Sequence, residues 1–272
     1  LTINGNPANA VGCAYTNPEE APSSTQLFVV TGASNRIYLQ ATPNNGVLTE
    51  VAQLPFDIGS NVGFDFGPGN IGYMANQKLS DDFSTFLTFD PASGGSAIST
   101  AIGGGKPVKS IAVDLSGPTT TNFVGIDDSG NLARFNSANP ATLISSNLIT
   151  GLAGGDIIAG CDFAPGGTLV NGLHVLTVTV GGDAKLYTVD LTPGVNFAKA
   201  TLKVDLLTAL TDPNTVKYGV EMFSPTQMGI TTAFVPAELD FNGEIQHQIQ
   251  PAPPAPPVPV TTTRLNFVNP AS

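Results

Sequence analysis

Apolar and polar positions in this chain alternate in short phrases, each closed by Gly, Pro, Asp or Asn, and hardly anywhere follow the 3.6-residue period of a helix. The clearest phrase is Ala159 to Gly167, AGCDFAPGG: small residue, apolar residue, acid, aromatic, then a Pro/Gly turn. It recurs as GCAYTNP from Gly12, GFDFGPG from Gly63, AVDLSGP from Ala112 and GVEMFSP from Gly219. The acid positions (Ala14, Asp65, Asp114, Asp162, Glu221) step by 51, 49, 48 and 59 residues. Steps of that size, filled with strand-like phrases, predict an all-β propeller, most simply of five blades. Six blades remain the alternative if the two termini together build another sheet.

A second phrase follows each acid position: IYLQATPNNG from Ile37, FLTFDPASG from Phe86, LARFNSANP from Leu132, LYTVDLTPG from Leu186 and a weaker ELDFNGEI from Glu238. Each reads as a strand that ends where Asp or Asn opens a turn by accepting backbone N–H bonds. A third strand phrase follows in four units: GVLTEVAQL, SAISTAI, ATLISSNLI and ATLKVDLL. Only Val204 to Leu210 is open to a short helix. Because side chains alternate across a strand, Cys13, Phe64, Val113, Cys161 and Val220 share one face of the first phrase, and Gly12, Gly63, Ala112, Gly160 and Gly219 the other. A bulky face in one unit is thus expected to meet a nearly bare backbone in the next.

The propeller is expected over residues 1–248, where Leu1 to Asn4 is a strand-like piece of the kind that completes a last blade. Residues 249–260 carry PAPPAPPVPV, which lacks the donors for a central strand and should run as polyproline II at ~3.1 Å per residue, a semi-rigid arm of roughly 30 Å. Residues 261–272 open with the alternating TTTRLNFVN. There Thr263, Arg264, Leu265, Asn266, Phe267 and Val268 form a strand fit to pair in a neighbouring copy or in the chain's own unfinished fifth unit.

With 10 Lys and Arg against 21 Asp and Glu, a net charge of −11, the chain is unsuited to nucleic acid or to an anionic membrane surface. No apolar run approaches the ~20 residues of a membrane span. The Thr/Asn/Gly-rich, Lys-poor composition, with no initiating Met and no leader pattern, suggests an extracellular or cell-surface protein whose signal peptide has been removed.

Candidate chemistry is thin. Asp65, Asp114, Asp162 and Glu221 could converge on a central channel as carboxylate ligands, but repetition in every unit fits better with acids that cap their own strand-to-turn junctions. Asp127-Asp128-Ser129-Gly130-Asn131 has too few ligands for a calcium loop and reads as a hairpin turn. His174 lies in an apolar run and His247 in a Gln-rich segment, a core and a surface histidine more than catalytic bases. No nucleophile elbow, zinc-protease or phosphate-loop motif is present. Cys13 and Cys161 could pair as a disulfide in an oxidising compartment, yet equivalent places on non-adjacent blades point in the same rotational sense, which favours two buried thiols. No cofactor is expected.

The units GFDFGPG…STFLTFDPASG and FVGIDDSGNLARFNSANPATLISSNLITGL…IIAGCDFAPGG…KLYTVD resemble a bacterial secreted family catalogued as domain of unknown function 4394, over about Gly32 to Asp190. SIAVDLSG resembles the innermost strands of NHL-type propellers. The resemblance implies a propeller and carries no activity. The expectation is a non-catalytic structural protein whose partner is itself, built into a filament or surface layer by donating its C-terminal strand. The alternative is a channel-mouth binder of small ligands or a metal-assisted hydrolase.

Overall fold

In the first four units the strands expected from the alternation form, and each of these units holds one more. The structure, a computed structural model, describes residues 2–3, 6–18, 24–32, 34–40, 46–78, 80–115, 121–164, 172–206, 210, 216–224, 227–234 and 263–266. A hairpin of β1 (Thr2–Ile3) and β2 (Asn6–Pro7) precedes the first blade. That blade runs β3 (Ala10–Tyr15), β4 (Leu27–Thr31), β5 (Arg36–Gln40) and β6 (Thr49–Gln53). The second has β7 (Asn61–Phe66), β8 (Gly72–Gln77), β9 (Thr85–Asp90) and β10 (Gly95–Ala101). The third has β11 (Val108–Asp114), β12 (Asn122–Asp127), β13 (Asn131–Asn136) and β14 (Ser145–Leu148). The fourth has β15 (Ile157–Phe163), β16 (Leu173–Val178), β17 (Ala184–Asp190) and β18 (Lys199–Leu206).

The fold is therefore an all-β propeller, but with four complete four-stranded blades and not the five or six that the repeats led one to expect. The fifth unit gives a three-stranded sheet of β19 (Val216–Ser224), β20 (Gln227–Phe234) and β21 (Thr263–Asn266), in that order. Its inner strand β19 lies against both β15 and β3. The N-terminal residues close on themselves, β1 with β2, and do not complete a blade. Val204–Leu206, open to a helix on sequence grounds, ends β18, where Leu186↔Val204 and Ala184↔Leu206 pair. The ELDFNGEI phrase and the proline run lie outside the described residues.

The strand missing from the sequence reading is the second of each blade. LFVVT in β4 and LHVLTV in β16 are buried at every position, so their few polar residues do not alternate with apolar ones as in a half-exposed strand. The turns behave as expected: Asp90, Asn136 and Asp190 accept the amides of Ala92, Asn139 and Thr192 at 2.8–2.9 Å.

The core lies between sheets. Phe28, Phe64, Phe66 and Phe89 fill the junction of the first two blades, and Tyr73, Phe86, Phe123 and Phe135 that of the second and third. Val124, Val175, Tyr187 and Val189 fill the next, and Leu176, Leu186, Val220 and Met222 join the fourth blade to the fifth sheet. What lets the inner strands come this close is the bare face foreseen in the sequence. A Cβ on Gly63 would stand 2.4 Å from the Ile111 amide nitrogen, one on Gly160 2.6 Å from Val220, and one on Gly12 3.2 Å from Val62.

Gly63→Ala should therefore destabilise the protein by about 3 kcal/mol through overpacking against main chain that cannot give way. Gly154→Ala, with nothing within 4 Å, should change it by about 0.5 kcal/mol or less. Urea unfolding of the two variants against the parent chain measures the contrast.

Candidate functional site

The repeated acids sit at the ends of the inner strands, and the structure gives them partners. Asp65 on β7 accepts the amide of its neighbour Phe66 through Oδ1 at 2.7 Å, as an acid capping its own strand end should. Its Oδ2 also reaches the next blade, where it accepts the amide of Val113 on β11 at 2.6 Å. Asp162 on β15 does the same one junction before closure, Oδ2 accepting the amide of Met222 on β19 at 2.6 Å. Asp114 lies 3.8 Å from the Arg134 guanidinium. Ala14 holds the first position, and the Glu221 side chain lies outside the described residues. Ser110 adds a stitch of the same kind, its Oγ accepting the Cys161 amide at 3.1 Å. Among the described residues, no group of three or more His, Cys, Asp or Glu is placed to hold a metal.

The inner strands are the central edges of their sheets, and side chains of the preceding blade satisfy amides that no ladder partner reaches. The environment sets their protonation. Burial pushes the Asp65 carboxyl up to about 7, against the lowering effect of the Val113 and Phe66 amides. Burial, and after it the charge of Asp65, raises Asp162 well above the usual carboxylate range. Asp162 on blade four thus feels the charge of Asp65 on blade two.

Cys13 and Cys161 are both buried and form no disulfide. Burial drives the Cys161 thiol up to about 12, so it is neither a nucleophile nor a ready ligand. Asp127 makes the hairpin turn foreseen for it, its Oδ1 accepting the amides of Ser129 and Asn131 at 2.9 Å. His174 is buried on β16; its Nδ1 is 3.0 Å from the Gly172 carbonyl and its Nε2 2.7 Å from Lys203 Nζ. Burial first, then the Lys203 charge, hold the imidazole down to about 4, so it faces the ammonium as a neutral acceptor. His247 lies outside the described residues.

One polar cluster escaped the sequence reading. Asp156, in the loop before β15, takes Lys185 Nζ at 2.7 Å, the Tyr187 hydroxyl at 2.6 Å and the Thr177 hydroxyl at 3.2 Å. Tyr187 Oη in turn accepts the Ala153 amide at 3.2 Å. Burial alone would raise the Asp156 carboxyl, but the bonds from Lys185 and Tyr187 outweigh it and hold it below its ordinary value. The cluster fastens the loop between blades three and four to the fourth sheet. Its partners lie 21 to 31 residues away, which no local motif signals.

Of the C-terminal residues proposed for strand pairing, Thr263, Arg264, Leu265 and Asn266 form β21. They lie antiparallel to β20 of the same chain, from Ile230↔Thr263 to Gln227↔Asn266. Phe267 and Val268 lie outside the described residues.

Residues 2–112 match the family model described as a domain of unknown function, DUF4394. The DUF4394 match takes in the first two blades and β11 as far as Ala112, so it starts and stops earlier than the span of about 32–190 read from the sequence. No curated protein matches. Solved structures similar to the chain include the SapL1 lectin in complex with alpha methyl fucoside, at 13% identity and a TM-score of 0.46, covering 83% of this chain and 80% of that one. The Dos1 propeller is similar at 12% identity and a TM-score of 0.43, over 83% of this chain. YCF48 bound to D1 peptide follows at 13% and 0.44, over 77%. The chain spans only 53% of the Dos1 propeller and 58% of YCF48.

Asp156→Ala strands Lys185 and Tyr187 and is expected to lower stability by about 2 kcal/mol in urea titrations. With both thiols buried and Cys161 held protonated, a thiol reagent should modify neither cysteine in the native protein at pH 8 and both after denaturation.

Proposed function

We propose that the protein is a non-catalytic, extracellular structural subunit that assembles with copies of itself by exchanging the C-terminal strand. The observation that carries this reading is the fifth sheet. Its first two strands are a sequence-local hairpin like those of the blades, whereas its third, β21, arrives from beyond residues 235–262 and contributes only four residues. We read this sheet as the fifth blade of the ring; among the described residues it has one strand fewer than the other four. A short strand on a long connection pairs as well with the β20 of a neighbour as with its own, because the ladder Gln227↔Asn266 to Ile230↔Thr263 is the same in both cases. If the exchange runs head to tail, it does not close and repeats along a filament. The acidic, Lys-poor composition supports a well-solvated exterior.

A mixture of Ile230→Cys and Thr263→Cys chains tests the exchange. Oxidation of the mixture should give disulfide-linked dimers, and deletion of residues 251–272 should leave monomers by light scattering. If only the double variant cross-links, and within one chain, the strand stays at home and the proposal fails.

A further inference from the structure

Charges and exposed apolar side chains are sorted to opposite faces of the ring. Each of the four blades is a sequential antiparallel sheet, so its first-to-second and third-to-fourth connections leave at one end and its other connections at the opposite end. The ends of neighbouring blades coincide: Asn70 Nδ2 donates to Asn17 Oδ1 at 2.7 Å between the first-to-second connections of blades two and one. At that end the described residues of the connections include no Asp, Glu, Lys or Arg, and the residues outside the description add only Glu19 and Glu20. At the other end stand Asp57, Asp81, Asp82, Asp128 and Asp183, against Lys78 and Lys106. We propose that two copies of the ring stack face to face through their uncharged connections.

Apolar side chains mark the same face. Val195 is fully exposed, and Val47, Ile144 and Leu115 are exposed as well. Val47, Ile144 and Val195 occupy the third-to-fourth connections of blades one, three and four. At the acidic end Val180 is the large exposed apolar side chain among the described residues. Scattered apolar residues are ordinary on a surface, but here they coincide with an absence of charge. The acids at the neighbouring strand ends are already engaged. Asp90 accepts the Ala92 amide and the Ser93 hydroxyl, Asp190 accepts the Thr192 amide and stands opposite Lys199, and Asp114 faces Arg134.

Charge selects a second copy as the occupant. A charged partner finds no counter-charge on these connections, whereas the same face of another copy brings none with it. With a net charge of −11 each, two chains repel unless their acidic ends point apart. Stacking points them apart. Inner strands such as Asn61–Phe66 and Val108–Asp114 are roughly 20 Å tall at ~3.3 Å per residue, so the acidic ends of a stacked pair lie about 40 Å apart, several Debye lengths of about 8 Å. The contact is two-fold and matches itself. It lies apart from the β20–β21 ladder and does not rest on strand exchange.

Hydroxyl-radical footprinting of the full chain reads the stack. As the protein concentration rises from about 1 μM to about 100 μM, oxidation of Val47, Ile144 and Val195 should slow at least about threefold, while that of Val180 stays unchanged. In a variant carrying Val47→Asp and Val195→Asp, both on exposed connections, Ile144 and Leu115 should be oxidised equally at the two concentrations. Val180→Asp should leave the protection in place. Side chains that stay equally reactive at every concentration leave this face to a partner other than a copy and overturn the stack, and so does protection that persists in the double variant. Strand exchange is scored by its cross-link alone, so either reading can fail without the other.

Discussion

Everything in this molecule depends on how closely one inner strand can lie against the next. A sheet that points an edge at the centre of a ring leaves amides there with no ladder partner, and it has little room for side chains. The chain meets both conditions within one short phrase. Glycine lets the backbone approach, as at Gly63 against Ile111, and the acid two residues on, on the same face, accepts an amide from the strand so approached, as Asp65 does from Val113. Moving either residue by one position would turn it to the wrong face of the strand.

This is why so much of the architecture was legible. Gly12, Gly63 and Gly160 announced the bare faces, Phe64 and Val220 the bulky ones, and the spacing of the acids announced the units. The second strand of each blade was not legible, since a strand buried on both faces, such as Leu173–Val178, has no polar rhythm to betray it. The number of complete blades was misread for a related reason. The fifth unit has a well-formed first phrase, but the strand that stands third in its sheet comes from the far end of the chain, and pairing at such separation leaves no mark on local pattern. At the site level, the acids were seen and their capping role foreseen, but the reach of Asp65 and Asp162 into the neighbouring sheet was not. The Asp156 cluster, joined across as many as 31 residues, was invisible for the same reason.

The junctions are also unequal. Within the first three blades Phe28, Phe66, Tyr73, Phe86, Phe123 and Phe135 interlock ring to ring. Between the fourth blade and the fifth sheet Leu176, Leu186, Val220, Met222 and Met228 pack with Tyr218, and against the other side of the first blade the filling includes Ala8, Ala10, Cys13 and Tyr38. Aromatic pairs add to what area alone contributes, by about 0.5–1.5 kcal/mol each.

The wide separation of β20 from β21 has a consequence for how the protein comes into being. Each complete blade is made of neighbours in sequence, which favours rapid, local formation as the chain leaves the ribosome. Thr263–Asn266 is synthesised well after the strand it pairs with, β20, which ends at Phe234. A newborn molecule therefore passes through a stage in which four blades are built and one docking edge is vacant, and any sister chain nearby meets it in that interval.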